Sequence, residues 1–234
     1  MQYFEDMITK DRKRITLFAG HYGSGKTNIA VNYAKLLKRE GKDVVIADLD
    51  IVNPYFRTKD SEKELSELGI SMISPRFANS NVDLPALPQE IYGIFHRKDK
   101  YAVLDVGGDD RGALALGRYS PFIREENNFE MIYVASCYRP LTRTASEALE
   151  VMREIEAAAS LPFTAIINNS NIGSVTTAED VLASQKFISE LCEISGLPLL
   201  FTTVKEELCP ELKDKIENLF PLTLSERYYE IKEK

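Results

Sequence analysis

The chain reads as an α/β fold built on a parallel sheet with helices against both faces. Three observations predict it. Short apolar runs alternate with helix-like patterns along the whole sequence. The apolar runs are rich in Val, Ile, Leu and Phe with little polar alternation, as expected of strands covered on both sides. The first strand-to-helix junction carries Gly20-His21-Tyr22-Gly23-Ser24-Gly25-Lys26-Thr27, a glycine-rich phosphate loop in its strand–loop–helix setting. Repeated alternation of this kind implies right-handed crossovers between parallel strands. No linker, repeat or low-complexity stretch divides residues 1–234, so a single domain is expected.

The elements follow in order. A strand over 14–19 ends in the glycine loop, and a helix over 26–40 carries Ile29, Ala30, Tyr33, Ala34, Leu36 and Leu37 at helical spacing. Strands are expected over 43–48, 70–74, 101–106, 129–136, 162–168 and 197–203, each an apolar run. Helices are expected between them over 60–68, 88–97, 112–125, 143–159 and 177–195. Gly41, Gly69 and Gly196 sit just past helix ends, where a left-handed residue is wanted. Thr177 precedes Ala-Glu-Asp, a capping arrangement. A last helix over 210–219 is expected because Leu208, Leu212, Ile216, Leu219 and Phe220 recur at helical spacing. Glu206, Glu207, Glu211, Asp214 and Glu217 make its other face acidic, which suits a helix packed on the sheet and not one lying on a membrane.

The phosphate loop needs these residue types. Gly20, Gly23 and Gly25 admit backbone angles that let successive N–H groups converge on one anion. The helix starting near Gly25 adds its positive end, and Ser24 and Asn28 flank the turn. Lys26 is a flexible cation that reaches β- and γ-phosphates, and Thr27 offers a hydroxyl to Mg²⁺.

In parallel sheets ligands sit beyond the carboxyl ends of the strands, and polar residues gather there. The second strand ends in Asp48-Leu49-Asp50-Ile51-Val52-Asn53-Pro54. Residues 48 and 50 point to one side if the strand continues. Paired carboxylates at that place suit a metal-bound water and an attacking water; the same residues also suit an Asx-turn leading into Asn-Pro. The fourth strand ends in Asp105-Val106-Gly107-Gly108. Asp105 is placed as a second magnesium anchor, and the two glycines let backbone N–H approach a γ-phosphate and let the loop move when that phosphate leaves.

Composition excludes several classes. The net charge of −7 over 234 residues argues against non-specific nucleic-acid binding. Three cysteines, Cys137, Cys192 and Cys209, are far apart and form no Cys-x-x-Cys, so neither a disulfide framework nor a zinc or iron–sulfur site is indicated, and a reducing cytoplasm is expected. The acidic start Met-Gln-Tyr-Phe-Glu-Asp-Met is unlike a signal peptide, and no apolar run approaches the roughly 18 residues of a transmembrane helix. His96 reads as a solvated helix end, Arg139-Pro140 as a border of the nucleotide site, the polar run 79–85 as a partner or substrate surface, and Tyr228-Tyr229 as residues open either to packing or to a partner.

Taken together, residues 20–27, 48–53 and 105–108 resemble the CobQ/CobB/MinD/ParA group of P-loop ATPases, and the element order extends the likeness over nearly the whole chain. The resemblance implies a three-layer, doubly wound, mostly parallel sheet with the phosphate-loop strand near its middle. It implies ATP and Mg²⁺ as cofactors. By the same resemblance Lys26 and Thr27 bind phosphate and magnesium, Asp50 positions the hydrolytic water, Asp48 supports the magnesium shell, and Asp105 holds a magnesium-bound water; residues 50–53 and 105–108 become the two switches. Many members read Lys-Gly-Gly-x-Gly-Lys-Thr, and their first lysine reaches a partner copy's phosphates. Here that position is His21, followed by Tyr22, so the resemblance does not carry that form of homodimer over; His21, Arg57 or Arg111 are the replacement cations the sequence offers. Guanine-specific relatives place Asn-Lys-x-Asp after the sixth strand. This chain has Asn168-Asn169-Ser170-Asn171, with an amide where the aspartate falls, which favours ATP, with Asn168 reading the adenine edge.

The leading function expected is a slow, partner-stimulated ATP hydrolase that switches a partner protein. A dethiobiotin-synthetase-type ligase or kinase is the alternative, though its lysine-proline motif is replaced here by Asp50-Ile51-Val52-Asn53-Pro54. A module that holds nucleotide without cleaving it is the third.

Overall fold

The computed structural model describes residues 12–50, 62–74, 90–108 and 110–223. Residues 51–53, Arg57, the polar run 79–85 and Tyr228-Tyr229 lie outside the described residues.

Among the described residues, eight strands form one sheet: β1 (Ile15–Ala19), β2 (Val44–Asp48), β3 (Ser71–Ile73), β4 (Tyr101–Asp105), β5 (Phe129–Ala135), β6 (Ala165–Asn168), β7 (Leu199–Lys205) and β8 (Leu219–Leu222). Their order is β3-β2-β4-β1-β5-β6-β7-β8, and every pairing is parallel. The strand that feeds the phosphate loop therefore lies inside the sheet, between β4 and β5. The chain runs outward from it in both directions, which makes the fold doubly wound.

Side-chain alternation along β1 separates the two cores. Ile15, Leu17 and Ala19 face one layer, and Phe18 faces the other. On Phe18's side lies α1 (Lys26–Arg39), whose Ile29, Ala30, Tyr33, Ala34 and Leu37 form the buried stripe, joined by Leu65 of α2 (Glu62–Glu67). Lys38 and Arg39 close α1 at its negative end. On the other side lie α3 (Glu90–His96), α4 (Asp110–Gly117), α5 (Ser120–Glu126), α6 (Ala145–Ala159) and α7 (Ala178–Ser195), through Ile91, Leu116, Ile123, Met152 and Leu191. Each such fully buried aliphatic or aromatic side chain contributes roughly 1.5–3 kcal/mol relative to exposure.

Local chemistry sets the boundaries. Thr144 caps α6 and Thr177 caps α7, each in a reciprocal box with Glu147 or Asp180. Gly41, Gly69 and Gly196 adopt positive φ at the helix ends where they are expected. No helix among the described residues is long and apolar enough to cross a membrane. All three cysteines are free and half-buried, and burial raises the pKa of the Cys192 and Cys209 thiols.

Two expectations about elements are corrected. The helix expected over 112–125 is two helices, with Pro121 in the first turn of α5 and the Ser120 hydroxyl donating to the Gly117 carbonyl at 3.0 Å. The last expected helix stops after one short turn, α8 (Cys209–Leu212). Asn218 then takes a left-handed conformation, φ 55°, and the chain enters β8. Leu212, Ile216 and Leu219 still reach a common core with Val181 and Val204, and Phe220 stacks on Phe201 at 4.7 Å. Their burial is satisfied without helical geometry, so the spacing misleads. Pro221 is tolerated because β8 is the last strand of the sheet.

Candidate functional site

The phosphate loop occupies residues 20–25. The Ser24 N–H donates to the His21 carbonyl at 3.1 Å, which folds the loop into a tight turn. Gly25 is the N-cap of α1, with φ 86° and ψ 19°, a left-handed conformation open to glycine at little cost. No side chain caps this end, and no acidic residue lies in its first turn. The positive end of a 14-residue helix thus faces the loop, which is the electrostatic condition for holding an anion. Lys26 is buried and its Nζ donates to the His21 carbonyl at 3.2 Å, so its charge sits at the mouth of the loop.

The two strands on one side of β1 bring carboxylates to the same place. Asp48, the last residue of β2, is the register partner of Asp105, the last of β4. Both are 1% exposed. Burial and the neighbouring charge of Asp48 push the Asp105 pKa well above the usual carboxylate range; Asp50 adds to this, while a hydrogen bond with Thr27 and the charge of Lys26 oppose it. Asp105 Oδ2 is buried and has no hydrogen-bond partner among the described residues. Asp48 Oδ1 accepts the N–H of Asp50 at 2.9 Å, the Asx-turn foreseen as an alternative. That turn fixes the backbone of Asp50 beside Asp48. β2 ends at Asp48, so Asp50 is not placed by strand alternation.

Two adjacent buried carboxylates require a proton or a cation between them. Thr27 supplies a hydroxyl at the same spot. The oxygen set of Thr27, Asp48 and Asp105 fits a hard divalent cation such as Mg²⁺, which takes one or two carboxylates and completes its shell with phosphate and water. No cluster of three or more His, Cys, Asp or Glu suited to a metal occurs among the described residues.

The segment after β4 closes over the loop. A Cβ built on Gly108 would lie 2.7 Å from Lys26 Nζ and 2.8 Å from Tyr22 N, so only glycine fits. A Cβ on Gly107 would lie 3.4 Å from Asp50 Cγ. Residues 20–27, 48–50 and 105–108 thus meet at one point, beyond the carboxyl ends of the strands.

A family model for the CobQ/CobB/MinD/ParA nucleotide-binding domain (CbiA) matches residues 15–209, more than half of the chain and all three segments. The chain belongs to this family. No curated protein matches it. Among solved structures it is similar to FtsY from Mycoplasma mycoides, with 17% identity and a TM-score of 0.59, over 85% of this chain and 62% of that one. It is also similar to the signal recognition particle receptor FtsY from Elizabethkingia anophelis in complex with GDP, with 15% identity and a TM-score of 0.52, over 85% and 59%. Chloroplast FtsY from Physcomitrella patens gives 17% and 0.58, over 88% and 66%. The chain spans less than two thirds of the first two. At such identity the likeness establishes the fold, an α/β sheet of the P-loop NTPase kind.

Within this CobQ/CobB/MinD/ParA-type domain most of the expected site residues converge: Gly20, Gly23, Ser24, Gly25, Lys26 and Thr27 in the loop, with Asp48, Asp50, Asp105, Gly107 and Gly108 around it. Asn28 lies in the first turn of α1, half-buried, its Oδ1 accepting from Asn32 at 3.2 Å. Asn168 is fully buried; its Nδ2 donates to Ser184 Oγ at 2.9 Å and its Oδ1 accepts from the Ser170 N–H at 3.1 Å. Both ends of that amide have partners inside the fold. Its neighbour Asn169, which the sequence reading passed over, does touch the loop: its Nδ2 donates to the Ser24 carbonyl at 2.5 Å. Thr203 and Asn171 both donate to Asn169 Oδ1, which fixes the orientation. The signal was present in the run Asn168-Asn169-Ser170-Asn171, but nothing in it tells which amide leaves the sheet.

Proposed function

We propose that the chain is an ATPase that binds MgATP and acts as a nucleotide-dependent switch on a partner protein. The observation that carries this reading is the meeting of the Asp48–Asp105 pair, Thr27 and Lys26 at an uncapped helix end. The loop N–H groups and Lys26 bind the phosphate chain. Thr27, Asp48 and Asp105 would hold Mg²⁺, which would supply charge neutralisation for phosphoryl transfer. Asp50, its backbone fixed beside Asp48 by the Asx-turn, orients the attacking water. Gly107 and Gly108 lie against Asp50 and Lys26, so loss of the terminal phosphate releases both segments together. ATP is favoured over GTP because an amide, Asn171, stands where an aspartate would pair with guanine; its Nδ2 is further engaged by Asn169.

Lys26→Ala abolishes ATP binding, and Asp50→Ala keeps binding but stops phosphate release. Turnover that survives in Asp50→Ala removes that role. Appearance of a phosphorylated metabolite in place of free phosphate would favour a ligase or kinase instead.

A further inference from the structure

We propose that Arg139 is a nucleotide-binding residue: a second cation, supplied by the chain's own turn after β5, for the phosphate chain held on residues 20–27. This rests on the nucleotide-binding reading above and adds a residue to it.

Arg139 lies along the crest of the loop. A Cβ built on Gly23 would lie 3.6 Å from Arg139 Nε, 3.7 Å from Cδ and 3.9 Å from Cζ. The preceding residue, Tyr22, is met by Gly108. The crest is therefore clasped from the end of β4 on one side of β1 and from the turn after β5 on the other.

Arg139 Nε is buried and has no hydrogen-bond partner among the described residues. A guanidinium N–H left in that condition carries the full cost of desolvation, so its place in the fold makes sense when an acceptor arrives. None of the ion pairs among the described residues involves Arg139. The planar guanidinium fork matches phosphate oxygens.

The turn that presents it is fixed. Thr142 Oγ1 donates to the Ser136 carbonyl at 2.8 Å, and the Thr142 N–H donates to the Arg139 carbonyl at 3.4 Å. The Tyr138 hydroxyl donates to the Asp180 carbonyl at 2.8 Å, and the Cys137 N–H to Ser170 Oγ at 3.1 Å. Leu141 is held at φ 65°, a conformation a branched side chain adopts only when its surroundings impose it. His21, the other basic side chain on the crest, is kept below its ordinary pKa by burial and by Lys26, which disfavours its charged form.

The test is calorimetric titration of wild type, Arg139→Ala and Arg139→Lys with MgATP and MgADP, with melting curves of each protein without nucleotide. Arg139→Ala should bind about ten- to a hundredfold more weakly, the range of a lost charge-assisted hydrogen bond. Its nucleotide-free melting should not fall below wild type, Arg139→Lys should retain most of the affinity, and millimolar guanidinium should restore part of it to Arg139→Ala alone. Wild-type affinity in Arg139→Ala overturns this inference and leaves the nucleotide-binding reading intact. Weakened binding that guanidinium does not restore assigns Arg139 to packing, and also overturns it. Absence of binding by wild type overturns both.

Discussion

Asp48 and Asp105 stand opposite each other at the carboxyl ends of β2 and β4, register partners with 1% of each exposed. Parallel pairing leaves them no other arrangement: matched strands that end on the same row place their last side chains together. Each raises the cost of ionising the other. Everything else at the site lies within reach of that pair.

The pair predicts how the metal-free protein responds to pH. The pKa of Asp105 is raised in the folded state, chiefly by burial and then by Asp48. A carboxyl raised on folding binds its proton more tightly when folded, so stability is greatest when it is protonated and falls as pH climbs from the ordinary carboxylate range through the folded value. In a chelator, the melting temperature should fall between about pH 5 and pH 8, and Asp105→Asn should flatten that slope. A slope unchanged by the substitution would show that the carboxyl is not the group responsible.

Asn169 predicts a coupling between the far side of the sheet and the loop. Asn169→Ala removes the hydrogen bonds with the Ser24 carbonyl, Thr203 and Asn171 together. We expect a stability loss of about 1–3 kcal/mol in denaturant unfolding and weaker ATP binding, since the loop loses its anchor. Asn168→Ala should cost stability without altering the preference between ATP and GTP.

Gly108→Ala tests the closure. A methyl group there would lie 2.7 Å from Lys26 Nζ and 2.8 Å from the Tyr22 backbone. The lysine tip can move aside, but backbone cannot, so the segment after β4 is pushed off the loop. ATP affinity measured by calorimetry should drop while the circular dichroism spectrum stays that of the wild type.

At the opposite end of the sheet, Arg14 forms a bidentate pair with Glu126 and donates to the Lys100 carbonyl at 2.8 Å. Both side chains are largely buried. Arg14→Ala leaves a buried carboxylate alone and should cost about 3–5 kcal/mol in chemical denaturation. ATP affinity of the folded fraction should not change, which separates stability from function.

The glycine loop, Asp48 and Asp105 were legible because each is a local pattern: a spacing, or an acid closing an apolar strand. What the sequence withheld was set by distant contacts. β8 was hidden because Leu212, Ile216 and Leu219 fill a shared core from a turn and an edge strand, with the spacing of a helix. Asn168 and Asn169 have the same side chain. One closes β6 and faces Ser184 of α7; the other has left the strand and turns over Ser24. Only the packing of α7 and the phosphate loop distinguishes them. Asp50 lies beyond the end of β2, in the Asx-turn that the sequence also allowed and not in a continued strand.

The most direct measurement is a calorimetric titration with ATP in the presence of Mg²⁺ and in a chelator, for wild type and Asp105→Asn. The account predicts tight binding by wild type that depends on Mg²⁺, and in Asp105→Asn an affinity that Mg²⁺ no longer improves. ATP binding of equal strength with and without Mg²⁺ in wild type, or no heat at all, would contradict it.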